Sequence, residues 1–204
     1  MSKQEPIKAM EIHGEKKKIV LAGNPNVGKS VFFNSLTGLY VDVSNFPGTT
    51  VDVSHGHFEE YAVIDTPGVY GISSFNDEEK VARDVILTAD LIVNVVDAVH
   101  LERDLFLSLQ VIETGIPTII VLNMMDDAKR EGLKIDLALL EEQLGVPVIP
   151  AVAIKGKGLK ELKEKLREAR TGNIPLERQA QLKALTCRNY CRQSEALLIL
   201  EGDE

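Results

Sequence analysis

A glycine-rich segment near the start of the chain has the residue types and spacing of a phosphate-binding loop. It follows an apolar run at residues 19–22 and fits the pattern GxxxxGK[ST] with Gly23, Asn24, Pro25, Asn26, Val27, Gly28, Lys29 and Ser30. Glycines let backbone N–H groups converge on phosphate oxygens at the start of a helix. Lys29 would place a positive charge beside the β- and γ-phosphates, and the Ser30 hydroxyl is suited to bind Mg²⁺. The segment predicts a nucleoside triphosphate site; a chance glycine-rich turn is the alternative.

A second segment carries groups that could select the base. Asn123, Met124, Met125 and Asp126 follow an apolar run at residues 118–122 and are similar to the NKxD element of guanine-nucleotide-binding proteins. One carboxylate can accept hydrogen bonds from both the N1–H and N2–H₂ groups of guanine, a donor pair that adenine lacks. Asp126 is therefore predicted to select guanine, Asn123 to tie this segment to the phosphate loop, and Met124 to pack over the base. A helix-capping role is the alternative for Asp126.

A third segment is predicted to contact the base from the other side. Val152, Ala153 and Ile154 follow the apolar run at residues 146–150. The usual Ser-Ala pair of such a segment is here Val-Ala, so the Ala153 N–H is predicted to donate to guanine O6, without the support of the serine.

Two further segments carry groups that could respond to the γ-phosphate. Residues 65–68 are DTPG, at the end of a predicted strand. Asp65 can hold Mg²⁺ through water there, and the Gly68 N–H can meet the γ-phosphate. Residues 44–51 lie between the first helix and the next strand, and a threonine in that loop, Thr49 or Thr50, can bind Mg²⁺ only while the γ-phosphate is present. An ordinary strand-to-turn connection is the alternative for residues 65–68.

Alternating strand-like and helix-like segments are expected to position these groups. Apolar or alternating runs predict strands at residues 19–22, 51–57, 61–65, 91–97, 118–123 and 146–150. Amphipathic stretches predict helices at residues 31–38, 77–89, 102–114, 136–144 and 159–169. This alternation predicts a doubly wound α/β domain with a mostly parallel sheet, covered by helices on both faces. Ligands of such sheets lie at the carboxyl ends of the strands, where the candidate segments begin.

Composition and charge exclude several classes of protein. The chain has 204 residues, 44% of them hydrophobic and 26% charged, with a net charge of −8. This acidic balance argues against broad nucleic-acid binding. No run approaches the roughly 18 apolar residues of a membrane span, and the first residues lack the apolar region of a secretion signal. Two cysteines fit a reducing compartment. We expect a soluble, cytoplasmic chain with a flexible extension (1–16), one P-loop GTPase domain (17–170), and a linker with a partial helical segment (171–204).

The segments GNPNVGKS, NFPGTTVDV, DTPGVY and NMMD together resemble the cytosolic G domain of the ferrous iron transport protein B (FeoB) family. The resemblance covers residues 17–170 and implies a Ras-like P-loop GTPase fold that binds GTP and GDP. It implies that Thr50, rather than Thr49, binds Mg²⁺ with Ser30 and Asp65. In the complete protein such a domain precedes a helical domain and a membrane domain for Fe²⁺ uptake. The chain would thus be an N-terminal portion at the cytoplasmic face of the membrane, with the membrane domain as its partner and a homo-oligomer left open.

The predicted catalytic residues are Lys29, Thr50, Gly68 and Asn26. Many small GTPases have a glutamine after the glycine of DxxG, where this chain has Val69, which has no group to orient water. The resemblance implies that a K⁺ ion serves instead, with Asn26 as its side-chain ligand; a local loop hydrogen bond is the alternative for Asn26. Slow, K⁺-stimulated GTP hydrolysis is expected. A regulatory module with negligible hydrolysis and a ribosome-assembly GTPase remain alternative functions.

Overall fold

The apolar runs of the chain form one seven-stranded sheet in the computed structural model, which describes residues 16–38, 41–45, 49–73, 76–189 and 192–201. The strands are β1 (Lys18–Gly23), β2 (Val41–Asn45), β3 (Asp52–Phe58), β4 (Tyr61–Asp65), β5 (Leu91–Asp97), β6 (Thr118–Asn123) and β7 (Val148–Pro150). They are ordered β2-β3-β4-β1-β5-β6-β7. From β4 to β7 all neighbours are parallel, whereas β3 is antiparallel to both β2 and β4.

Helices connect the strands of this sheet. They are α1 (Lys29–Thr37), α2 (Asp77–Ile86), α3 (Leu101–Glu113), α4 (Met125–Arg130), α5 (Leu137–Leu144), α6 (Leu159–Lys165), α7 (Leu176–Asn189) and α8 (Gln193–Glu201). Short 3₁₀ helices occupy Ala153–Lys155 and Leu166–Glu168. Side-chain caps start two of the helices, because the carboxamide of Asn76 and the carboxylate of Asp136 accept hydrogen bonds from first-turn N–H groups. No helix among the described residues is long and apolar enough to cross a membrane.

Both faces of the sheet are buried. Successive side chains of a strand point to opposite faces, so Ile19 and Leu21 of β1 pack in one cluster with α1 and α6. Val20 and Ala22 pack on the other face, in a cluster that includes α2 and α3 and buried residues of α7 and α8. The prediction of a mostly parallel sheet covered on both faces is confirmed.

Two elements were not predicted, and both lack a hydrophobic pattern. Strand β2 is an edge strand with almost all of its residues exposed, so it carries no apolar alternation, and its last residues fall in the loop predicted at 44–51. Helix α4 has only six residues. Strand β7 begins at Val148 and α2 ends at Ile86, each a few residues inside the predicted bounds. The predicted extension, except for Lys16, and residues 46–48 of the NFPGTT segment lie outside the described residues.

Candidate functional site

The phosphate loop joins the carboxyl end of β1 to the start of α1, at the centre of the sheet. Its backbone requires glycine at both ends of the loop. Gly23 has φ of 156°, and a Cβ there would lie 2.4 Å from the carbonyl oxygen of Val95 on the neighbouring strand. Gly28 caps α1 with φ of 93°, and its Cβ would lie 2.7 Å from the side-chain nitrogen of Asn123. Asn26, between them, is exposed and also has a positive φ, of 65°.

The ammonium group of Lys29 lies inside this loop. It donates to the carbonyl oxygens of Gly23, at 3.2 Å, and Asn24, at 3.4 Å. Burial lowers the pKa of Lys29, and the nearby Asp65 opposes that shift. The loop therefore holds a buried cationic group whose present partners are neutral carbonyl oxygens, and this favours an anionic ligand.

Asp65 lies at the end of β4, opposite the first turn of α1. Its Oδ2 atom accepts a hydrogen bond of 2.9 Å from the Ser30 hydroxyl. Its Oδ1 atom is buried and has no hydrogen-bond partner among the described residues. Burial raises the pKa of Asp65, whereas the Ser30 hydrogen bond and the charge of Lys29 act in the opposite direction. A buried carboxylate oxygen without a partner, beside a serine hydroxyl, is the donor set that a hard cation such as Mg²⁺ prefers.

The segment after Asp65 borders a cavity that reaches the end of the threonine loop. The cavity has a volume of about 500 Å³, and Thr50, Asp65 and Gly68 are among the residues that line it. The Thr49 hydroxyl instead accepts a hydrogen bond from the Val51 N–H at 3.2 Å. The structure thus brings Thr50 to the same cavity as Asp65, and it gives Thr49 a partner within its own loop.

Val69 is turned away from this cavity. Its side chain is 1% exposed and belongs to the core cluster that includes α2 and α3. Its N–H donates to the Gly23 carbonyl oxygen at 3.2 Å. Gly68 lies directly against the phosphate loop, where a Cβ would come within 2.7 Å of the Pro25 Cα atom. A residue at position 69 therefore serves the core and the backbone contact, and it presents no side chain to a water molecule.

Asn123, at the end of β6, joins two of the predicted base-contact segments to the phosphate loop. Its side-chain nitrogen donates to the Val27 carbonyl oxygen at 2.9 Å, and its Oδ1 atom accepts from the Ala153 N–H at 3.0 Å. The side chain is 4% exposed, so both bonds are shielded from water. The predicted link from Asn123 to the phosphate loop is present in the structure.

Asp126 lies in the first turn of α4 and is held by a residue that the sequence analysis did not select. Its carboxylate forms an ion pair of 2.5 Å with Lys155, and that hydrogen bond lowers the pKa of Asp126. The residue at the N-cap of α4 is Met124, with φ of 62°, so the capping alternative for Asp126 is wrong. Lys155 directly follows the predicted base-contact segment, and its charge opposite an acidic base-selecting residue is a signal that could have identified it.

The third base-contact segment differs from expectation in two of its residues. The Ala153 N–H already donates to Asn123, so it is not the free donor predicted for guanine O6. Val152 is buried, and its N–H donates to the Lys157 carbonyl oxygen at 3.2 Å, so it faces its own turn rather than a ligand. Ile154 is 85% exposed and lies within the short 3₁₀ helix. The N–H groups in the first turn of a helix have no partner within the helix, which makes the Ile154 N–H the better candidate donor.

Comparisons with known proteins match the G-domain part of the chain. A family model described as Ferrous iron transport protein B matches residues 17–166. The Fe(2+) transporter FeoB of Salmonella typhimurium is 40% identical over 178 residues, which are 82% of this chain and 23% of that protein. The Fe(2+) transporter FeoB of Escherichia coli strain K12 is 42% identical over 159 residues, which are 73% of this chain and 21% of that protein. The chain thus spans less than a quarter of the length of these relatives.

Solved structures match over most of the chain. A mutant of S. thermophilus NFeoB bound to GDP has 36% sequence identity and a TM-score of 0.81, covering 92% of this chain and 80% of that chain. The cytosolic domain of L. pneumophila FeoB has 35% identity and a TM-score of 0.78, covering 89% of this chain and 78% of that chain. Since another of these mutants was solved as a G domain bound to GDP, the predicted Ras-like P-loop GTPase fold is confirmed.

Proposed function

The chain belongs to the ferrous iron transport protein B family, and from this premise we propose that it binds and hydrolyses GTP and thereby regulates Fe²⁺ uptake across a membrane. The observation that carries the proposal is the cluster of Lys29, Ser30 and Asp65. It combines a buried ammonium group, a serine hydroxyl 2.9 Å from a carboxylate, and a buried carboxylate oxygen without a described partner. This arrangement suits a Mg²⁺-bound triphosphate.

The phosphate groups are bound by the loop and by the start of α1. The N–H groups from Asn26 to Ser30 surround the position that the β-phosphate takes in a loop of this kind, where the helix N-terminus favours negative charge. Lys29 moves from its carbonyl partners toward the β- and γ-phosphates. The relatives bound to GDP and to GMPPNP support this assignment, because those ligands are guanine nucleotides.

Ser30, Asp65 and Thr50 are the residues that would hold Mg²⁺. When bound, the ion neutralises the charge that develops on the β- and γ-phosphate oxygens. Ser30 contributes its hydroxyl oxygen, and Asp65 contributes its carboxylate through water. Thr50 contributes its hydroxyl only while the γ-phosphate is present, which makes its loop dependent on the nucleotide.

Guanine is selected by Asp126, which accepts hydrogen bonds from two donors of the base. Lys155 holds the Oδ2 atom of this carboxylate, and it has to share or leave that position when the base arrives. Asn123 holds the base segments against the phosphate loop, and Met124 covers the base with an apolar side chain. The Ile154 N–H supplies the donor to guanine O6.

Hydrolysis proceeds without a glutamine to orient water, because the side chain at position 69 is Val69 and is buried in the core. The Gly68 N–H and backbone groups of the threonine loop remain to position water and the γ-phosphate. Asn26 is exposed at the outer side of the phosphate loop and is the proposed side-chain ligand of a K⁺ ion that stimulates hydrolysis. The expected rate is therefore slow in Na⁺ and faster in K⁺.

The partner of this domain is the membrane transport domain of the longer protein, at whose cytoplasmic face it acts. The Fe(2+) transporters that match it extend well beyond the matched part, and the nucleotide-dependent loop at Thr50 supplies a state that such a partner can sense. Assembly into a homo-oligomer stays a prediction, and so do the three domain boundaries.

The test is phosphate release from GTP and from ATP, in K⁺ and in Na⁺ buffers of equal ionic strength. Asn26→Ala should lose the K⁺ stimulation, whereas Asn34→Ala, an exposed asparagine on α1, should keep it. Equal rates in the two salts for the unmodified chain would refute the K⁺ proposal. Equal use of ATP would refute the guanine assignment, and failure to retain any guanine nucleotide would refute the whole function.

One alternative has a specific observation in its favour. The buried side chain of Val69 is also what a regulatory module with negligible hydrolysis would have. Single-turnover hydrolysis compared with nucleotide release separates the two, because a regulatory module would release GTP before cleaving it. A ribosome-assembly GTPase fits less well, since the net charge of −8 disfavours RNA binding, and co-sedimentation with ribosomal RNA tests it.

A further inference from the structure

A buried carboxylate lies directly behind the phosphate loop, on a helix that supplies no predicted ligand to the nucleotide. Asp104 belongs to the first turns of α3 and is 1% exposed. Its Oδ1 atom accepts hydrogen bonds from the Asn24 side-chain nitrogen, at 2.6 Å, and from the Arg103 Nε atom, at 2.8 Å. Its Oδ2 atom accepts from the Asp97 N–H at 3.0 Å. Three donors from three segments therefore converge on one carboxylate.

The contact with Asn24 reaches the phosphate loop itself. Asn24 is the second residue of the loop, and its carbonyl oxygen is one of the two that hold the Lys29 ammonium group. Its side chain is 1% exposed, and its Oδ1 atom has no hydrogen-bond partner among the described residues. The bond to Asp104 is therefore what orients the Asn24 amide, and through it the backbone that faces the phosphates.

Arg103 extends this connection to the segment after Gly68. Its guanidinium group lies 5.7 Å from the centre of the Tyr70 ring, in the geometry of a cation–π contact. The same guanidinium donates to Asp104. One carboxylate thus joins the start of the phosphate loop, the end of β5 and, through Arg103, the segment that follows Gly68.

We propose that Asp104 is a positioning residue for nucleotide binding, which acts by fixing Asn24 in the phosphate loop. The proposal rests on the proposed function, because it concerns the same nucleotide site. Asp104 touches no reacting atom, so it affects how tightly guanine nucleotides bind and leaves the rate of cleavage at saturating GTP unchanged.

The experiment compares Asp104→Ala, Asp104→Asn and Asn24→Ala, using the dissociation constants of GDP and GTP and the single-turnover rate at saturating GTP. Asp104→Ala should weaken binding about 10-fold, since two buried donors lose a charged acceptor. Asp104→Asn should stay within about threefold. Its amide oxygen can accept from the Asp97 N–H, and its NH₂ group can donate to Asn24 Oδ1 once that amide turns over. The matched control is Asp84→Asn, a carboxylate with the same pairing to a preceding arginine, Arg83, at 2.9 Å, on α2.

The double variant Asn24→Ala/Asp104→Ala isolates the contact from a general loss of stability. If the two residues act through each other, the double variant binds no more weakly than Asp104→Ala alone. Multiplied effects of the two substitutions would overturn the proposal. So would an Asp104→Ala variant that binds as the Asp84→Asn control does. Should Asp104→Ala fail to fold, unchanged binding by Asn24→Ala would overturn it equally. Failure of the unmodified chain to bind guanine nucleotides would instead refute the proposed function.

Discussion

Asn123 is the residue whose substitution tests the architecture of the site most directly. It is 4% exposed, donates to the Val27 carbonyl oxygen at 2.9 Å and accepts from the Ala153 N–H at 3.0 Å. Asn123→Ala leaves a carbonyl oxygen and an N–H group without partners in a place that water does not reach. A buried polar group that loses its partner costs about 1–3 kcal/mol, so the free energy of unfolding should fall by about 2–6 kcal/mol. The melting temperature should fall by about 5 °C or more.

The matched control is Asn173→Ala. The Asn173 side-chain nitrogen also donates to two carbonyl oxygens, those of Glu142 at 2.9 Å and Gln143 at 3.2 Å, but these bonds are exposed. Water replaces the lost partner there, so the cost should stay below about 1 kcal/mol. Chemical unfolding of the nucleotide-free proteins measures both values. Equal losses for the two variants would show that burial of the Asn123 bonds has no energetic consequence, and the reasoning would be wrong.

Three further predictions concern charge, space and base selection. Because burial raises the pKa of Asp65, the folded nucleotide-free protein holds this proton to a higher pH than the unfolded chain does. Stability is then lost as the pH rises through the folded-state pKa. Asp65→Asn should thus melt higher than the unmodified chain at pH 7 in EDTA, and the advantage should vanish as the pH approaches about 4, the ordinary value for Asp; an advantage independent of pH would contradict this. Gly23→Ala should destabilise the fold by about 1–3 kcal/mol more than Gly132→Ala, because both positions have positive φ but only the former Cβ meets a backbone atom, at 2.4 Å; equal melting temperatures would argue against the clash. Asp126→Ala should abolish the preference for GTP over ATP in competition binding, whereas Asp127→Ala, which removes a neighbouring carboxylate paired with Arg130, should retain it.

Local segments of the site were accessible from the sequence because each is continuous in the chain. The phosphate loop, the DTPG segment and the NMMD segment each need particular residue types at fixed spacing, so their chemistry and their place after strands were predictable. The order of strands and helices was predictable for the same reason, since buried strands carry unbroken apolar runs. Edge strand β2, with almost no buried residues, carries no such signal and was not predicted.

Contacts between segments were decided by the tertiary structure alone. The Asn24–Asp104 bond joins residues 80 positions apart, and Lys155 reaches Asp126 across 29 positions. No spacing rule connects such pairs, because the separation depends on where β1, β5 and β6 place their carboxyl ends. The same packing gave the Ala153 N–H to Asn123 and turned Val69 into the core. Residue types thus determined which chemistry was possible, and the packing of the strands determined which atoms were left free to carry it out.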